Sequence, residues 1–323
     1  MADSSLSYVL VDVFTRRPFA GNQLAVVLGA DGLSTYQMQA IAAEFQLSET
    51  TFPVALTAED VASGADYRVR IFTARQEIAF AGHPTLGTAW VLANRGLLEP
   101  GARSQACGAG LVGLQVPARE DEPLELRAQP RDLSAPLSEA ATVGCATSVG
   151  LAADDVVGDA VVAGCGLSFV HLPVSRAAIG RAKVRLAEMS DVDLGGFTPR
   201  DQLIGLNVHA VSATEPAPDP GSEAGLSVRS RVFVPGPTVP EDPATGSAAV
   251  GLGVALVATG RAAPDGVTRY EIEQGVELGR PSYLSGRVEA SGGVASMCWV
   301  AGRVVAIAEG KIAGPDPGAD RTA

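Results

Sequence analysis

Two stretches of this chain are apolar on every side at helical spacing, and nothing else in the sequence limits the fold so strongly. The first runs from Leu86 to Ala93 behind Gly82-His83-Pro84-Thr85 and is closed by Gly96. The second runs from Ala244 to Val257 behind Glu241-Asp242-Pro243 and is closed by Gly260. A glycine just past the last periodic residue is the usual end of a helix. A helix without a polar face must be covered all round. The flanking segments Val9–Val13, Leu24–Val27 and Tyr67–Thr73 read as short strands between turn residues. Wrapping a sheet around each helix is the economical solution, so the expected fold class is α+β, a helix-in-barrel domain made twice.

The two helical stretches also resemble each other. His83-Pro84-Thr85-Leu86-Gly87-Thr88-Ala89 and Asp242-Pro243-Ala244-Thr245-Gly246-Ser247-Ala248 agree at the proline, glycine, hydroxyl and alanine positions. Arg70-Ile71-Phe72 and Arg231-Val232-Phe233 precede them, and Asn22 and Asn207 form a further candidate pair. We read this as an internal repeat. At about 150 residues per domain, 323 residues make two domains. Residues 1–125 are expected to form the N-terminal barrel, which the C-terminal segment is a candidate to complete, and residues 126–310 the C-terminal barrel. The charged stretch Arg119 to Pro123 lies near the boundary, Glu215 to Gly225 reads as an exposed Pro/Gly-rich loop, and 314–323 as a disordered tail.

Several function classes drop out. Acidic residues outnumber basic ones, 36 to 24, and no Lys/Arg run occurs, so a nucleic-acid partner is not expected. Met1 is followed by Ala-Asp-Ser-Ser, without a basic or apolar leader, and no stretch reaches bilayer-spanning length. The expectation is a cytoplasmic chain with no membrane partner. Cys107, Cys145, Cys165 and Cys298 form neither a CxxC pair nor a metal-ligand spacing, which supports no metal and no disulfide framework. No GxGxxG or GxxxxGK[ST] stands where a nucleotide cofactor would need it. The expected cofactor is none.

Helix N-termini carry unpaired N–H groups and partial positive charge. Two buried helices starting near one another would therefore make a carboxylate-binding cleft between the domains. Their mouths supply His83 and Asp242, with Gly82, Gly246 and Ser247 as small residues that admit a ligand to the backbone. Ser34 and Gln37 form a capping box that starts a helix with Met38, Ile41, Ala42 and Phe45 on one face. That helix delivers Leu47-Ser48-Glu49-Thr50-Thr51-Phe52, in which β-branched residues begin directly after Glu49. A carboxylate at such a junction suits a general base whose pKa rises when closure removes water. Glu49 is the candidate proton carrier. His171 and His209 lie inside apolar strand-like runs and are read as structural.

With Phe19-Ala-Gly-Asn22, Leu47-Ser-Glu49-Thr-Thr-Phe52, Glu77-Ile-Ala-Phe-Ala-Gly82-His83-Pro-Thr-Leu-Gly87 and Glu241-Asp242-Pro-Ala-Thr-Gly246-Ser247-Ala in order, the chain resembles the PhzF-like phenazine biosynthesis family. The resemblance runs from the first strand to Gly302–Gly310. It implies the diaminopimelate epimerase-like fold, with two pseudo-symmetric domains, an active site between them, and a homodimer. It also implies a cofactor-independent isomerase acting on a small carboxylate-bearing metabolite such as trans-2,3-dihydro-3-hydroxyanthranilate, with Glu49 shuttling the proton and His83 and Asp242 assisting. The related epimerases carry a cysteine at each central-helix mouth. This chain has His83 and Asp242 there, which disfavours inversion by two thiols. The alternatives are a double-bond isomerase of another secondary-metabolite or proline-derived precursor, or a member that binds a small molecule without turnover.

Overall fold

The computed structural model describes residues 5–185, 192, 203–213, 225–234 and 240–315. Of the expected loop Glu215 to Gly225 and the expected tail 314–323, residues 215–224 and 316–323 lie outside the described residues. Two compact units result: residues 1–126 with 302–323, and residues 127–301. The boundary follows Leu126, next to the charged stretch, and the last strand belongs to the first unit.

In the first unit, β1 (Ser5–Val13), β2 (Asn22–Leu28), β3 (Glu49–Val54), β4 (Tyr67–Phe72), β5 (Glu77–Ile78), β6 (Gly101–Cys107), β7 (Gly110–Val116) and β8 (Leu124–Ala128) follow in order. β1 and β2 are antiparallel, β2 and β3 parallel, β3, β4 and β5 successively antiparallel, β4 and β6 parallel, and β6, β7 and β8 antiparallel. The second unit begins with β9 (Asp132–Leu133) and runs through β10 (Val161–Gly164), β11 (Ser168–Pro173), β12 (Leu203–Ala213), β13 (Leu226–Phe233), β14 (Glu241–Asp242), β15 (Gly266–Gln274), β16 (Ser282–Ser291) and β17 (Val294–Gly302). Its pairings from β10 to β17 repeat those from β1 to β8, sense for sense. β18 (Val304–Ala313) lies antiparallel on β1, and β9 lies antiparallel on β10 in the same way.

Each unit holds one central helix of 13 residues, Gly82–Asn94 and Gly246–Ala258. Every residue from Gly82 to Leu92 and from Gly246 to Val257 is buried. The first helix packs against β1, β2, β3, β7 and β18, and the second against β10, β11 and β16. Burial of each Leu or Val on these helices stabilises by about 1.5–3 kcal/mol. The first helix is not wholly apolar, because Thr85 and Thr88 are fully buried. Thr88 shares a 2.8 Å hydrogen bond with Thr51, and Gln105 Nε2 donates to Thr85 Oγ1 at 3.0 Å. An unpaired buried hydroxyl would cost about 1–3 kcal/mol.

The topology corrects the alignment of the repeat. The central helices begin at Gly82 and Gly246 and are followed by Gly96 and Gly260, both with positive φ. Ahead of them, Glu77 pairs with Phe72 across β4–β5 and Glu241 with Phe233 across β13–β14. Each glutamate bonds the arginine of its Arg-apolar-Phe segment, Arg70 or Arg231, whose guanidinium also lies over Phe72 or Phe233. In this register His83 corresponds to Ser247 and Asp242 to Ile78. The Pro-and-Gly match between the His83 and Asp242 segments therefore pairs the wrong residues: proline and glycine suit any turn into a buried helix, whereas strand pairing admits one register. Asn207 likewise lies within β12, opposite Val232, where the first unit has Thr51 opposite Ile71.

The Ser34–Gln37 capping box is present, and Met38, Ile41 and Ala42 of the helix Thr35–Phe45 pack with Val27, Phe52 and Phe72. In the second unit Gly253 lets β15 and β16 approach the central helix. A Cβ there would stand 2.6 Å from Tyr270 Oη, which donates to Ala249 O at 2.9 Å. Gly253→Ala is expected to break that bond and lower stability by about 1–3 kcal/mol, read as a fall in the urea midpoint at unchanged slope.

Candidate active site

Glu49 is the first residue of β3 and pairs with Leu24 of the parallel β2. The preceding helix stops because Gln46 takes a left-handed conformation, φ 53°, which turns the chain into the strand within three residues. The junction read from the sequence is therefore where the carboxylate stands. His83 is the second residue of the first central helix and is 5% exposed. Its Nε2 lies 3.5 Å from Glu49 Oε2 and 3.3 Å from Gln23 O. Its Nδ1 lies 3.2 Å from Asn22 Nδ2, and Ser48 Oγ donates to Asn22 Oδ1 at 3.3 Å. Burial pulls the His83 pKa down to about 3, only partly opposed by the Gln23 carbonyl, so the imidazole is neutral near pH 7.

The second unit places the other candidates. Asp242 closes β14, and its Oδ2 accepts from Thr245 Oγ1 at 2.6 Å. Gln274 Nε2 donates to Asp242 O and to Thr245 Oγ1, while its Oε1 accepts from the Thr245 N–H. Behind them the buried Arg231 bonds Glu241 through Nε and Nη2 and the carbonyls of Ile179 and Ala182 through Nη1. This paired, hydrogen-bonded cation fixes the strand that carries Asp242. Gly246 and Ser247 are the first two residues of the second central helix, as Gly82 and His83 are of the first. Thr245 precedes the helix with no side-chain cap.

The structure thus brings Glu49 and His83 together in the first unit and groups Asp242, Gly246 and Ser247 around one helix start in the second. Asn22, Ser48, Thr245 and Gln274 are the supporting residues that sequence reasoning gave no role. For Asn22 and Gln274 the available signal is an amide at the end of a strand-like run, and for Ser48 and Thr245 a hydroxyl beside a turn. His171 and His209 are buried in the second unit, with pKa values pulled to about 3 and about 4, first by desolvation. Among the described residues no group of His, Cys, Asp and Glu could hold a metal ion, and no helix is long and apolar enough to cross a membrane.

The buried neutral histidines set a pH dependence. Each is protonated in the unfolded chain below its ordinary value of 6.5 and resists protonation in the folded one. Unfolding therefore takes up protons, and stability falls as pH drops from about 6.5 towards 4, by up to about 1.4 kcal/mol per pH unit for each histidine. Urea titrations across that range are expected to show this slope, with about one histidine's share missing in His83→Gln.

A profile of the family described as phenazine biosynthesis-like protein (PhzC-PhzF) matches residues 11–310. An uncharacterised isomerase of Mesorhizobium japonicum is 34% identical over 95% of this chain and 98% of its own length. The trans-2,3-dihydro-3-hydroxyanthranilate isomerase of Pseudomonas aeruginosa is 33% identical over 94% and 98%. A crystal structure of the Bacillus anthracis phenazine biosynthesis protein, PhzF family, superposes with a TM-score of 0.78 at 25% identity, covering 95% of this chain and 99% of that one. The fold is the diaminopimelate epimerase-like one, and the chain belongs to the phenazine biosynthesis-like family of isomerases.

Proposed function

We propose that this isomerase moves a proton within a small carboxylate-bearing metabolite, shifting an allylic double bond without a cofactor, and that Glu49 carries the proton. The observation that carries this reading is the unequal furnishing of the two repeats. By strand register Glu49 corresponds to Gly205: Thr50 faces Phe72 as Leu206 faces Phe233, and Leu24 faces Glu49 as Phe169 faces Gly205. A Cβ at Gly205 would stand 2.2 Å from Phe233 O, so no side chain fits there without moving the strand. His83 in turn corresponds to Ser247. The carboxylate and imidazole pair exists in one repeat only, which suits one base working on one face and gives no second copy of that pair for inversion.

In this reading Glu49 takes the proton from an sp3 carbon next to the conjugated system, and the electron pair of the C–H bond becomes the new double bond as the old one shifts. The protonated carboxyl then returns the proton at the far end of the allylic unit. The neutral His83 turns its Nε2 edge towards the carboxylate at 3.5 Å while that nitrogen bonds Gln23 O, and Asp242 assists with charge or with positioning an amino group. Gly82, Gly246 and Ser247, at the helix starts, offer backbone N–H groups and a hydroxyl to the substrate carboxylate. The family relatives named for trans-2,3-dihydro-3-hydroxyanthranilate make that compound the first substrate to test.

With this compound in deuterated water, the wild-type protein is expected to turn over and incorporate solvent deuterium, and Glu49→Gln to lose about 100- to 10,000-fold in rate. Equal rates for the two proteins would remove Glu49 as the carrier. Inactivity of both would move the substrate elsewhere in the class of conjugated or proline-derived acids.

A further inference from the structure

A buried neutral imidazole can present either a proton or a lone pair to the group beside it, and the two choices have opposite effects on a neighbouring carboxylate. At His83 the surroundings decide. Both groups near Nε2 are acceptors, the Gln23 carbonyl at 3.3 Å and Glu49 Oε2 at 3.5 Å. A lone pair on Nε2 would face both. With one proton on the ring, Nδ1 must then be the acceptor, and the partner it meets is the Asn22 amide at 3.2 Å. Ser48, the residue before Glu49, donates to Asn22 Oδ1. This leaves the amide nitrogen turned towards the ring, and Asn22 itself is 2% exposed.

The second unit contains the same device without the carboxylate. Ser230 Oγ donates to Asn207 Oδ1 at 2.5 Å, Asn207 Nδ2 lies 3.1 Å from His171 Nδ1, and His171 Nε2 lies 3.3 Å from Ala163 O. Serine, asparagine, histidine and a strand carbonyl recur in that order, although Asn22 and Asn207 are not equivalent in the repeat. Among the described residues His171 forms no ion pair. The arrangement therefore fixes the ring nitrogen that bears the proton whether or not a carboxylate is present.

We propose that Asn22 is a positioning residue that holds His83 in the Nε2–H tautomer, so that His83 turns an N–H and not a lone pair towards Glu49 and is not a second base. The catalytic meaning of this rests on the proposed role of Glu49, but the tautomer itself does not. In such an arrangement one carboxylate does all the proton carrying, because Nδ1 is occupied by an amide donor and Nε2 already bears hydrogen.

The test uses the full-length protein labelled with nitrogen-15 in its histidines and needs no substrate. Two-bond nitrogen–proton correlations at neutral pH are expected to report His83 as Nε2–H, its signals being identified by their loss in His83→Gln. Asn22→Asp puts an acceptor at Nδ1, and is expected to abolish the Nε2–H-only pattern of His83 in favour of Nδ1–H or the doubly protonated ring. His171 should keep its Nε2–H pattern in that variant, which reports that the fold is intact. A wild-type His83 that is Nδ1–H or doubly protonated would overturn the proposal whatever the variants do. So would an unchanged Nε2–H pattern in Asn22→Asp. The deuterium experiment on Glu49→Gln can fail separately, which would remove the proton carrier and leave the tautomer assignment standing.

Discussion

Everything in this protein is arranged around the need to cover a helix that has no side to show to water. Residues 82–92 and 246–257 are buried without interruption, and a single layer of packing would leave half of each helix exposed. The curved sheet supplies the missing sides, and the small residues on the helices let the strands come close. Gly87 faces Leu24 and Val13 so closely that a Cβ would be 2.6 Å and 2.9 Å from their methyl carbons. The same burial brings the helix starts inside the protein, so His83 stays neutral because it has been taken out of water as part of that helix. Electrostatics at the candidate site is thus a by-product of packing at the core.

Much of this was legible in the sequence, for physical reasons that can be named. Hydrophobic periodicity marks a buried helix well, and a switch from helical spacing to β-branched residues located Glu49 at the head of its strand. The capping box at Ser34 and the closing glycines were equally local signals. What could not be read locally was misread or missed. The repeat is visible in the sequence but its register is not, because a Pro–Gly rhythm is shared by many turns, while the true register is set by hydrogen bonds between strands far apart in sequence. The Asn22 to His83 contact joins residues 61 positions apart, and no periodicity announces such a pair. Gly205 gives no signal in the sequence, since a glycine in a strand run carries no chemistry until its counterpart is known.

The two repeats have diverged unequally. Their frames coincide down to the arginine that lies on a phenylalanine and grips a glutamate, yet one frame carries Glu49 and His83 where the other has Gly205 and Ser247. A duplicated frame costs little to keep, because its stability comes from packing that is insensitive to which polar groups sit at the helix mouth. Each mouth is then free to specialise. In the second unit the carboxylate beside the helix mouth is Asp242, held by Thr245 and Gln274 on a strand that the Arg231–Glu241 pair fastens in place.

The strand β18 gives the chain an unusual order of completion. Its partner β1 precedes every other described strand in the sequence, and the two pair along their whole length, Ser5 with Ala313 and Val13 with Val304. A ribosome releases residues 127–301 before it releases β18. The second unit therefore has all its strands in hand while the first still shows an open edge along β1. Domains commonly finish in the order they are synthesised. Here the first unit to begin is the last to close, and the exposed edge of β1 must be kept from other partners until β18 is made.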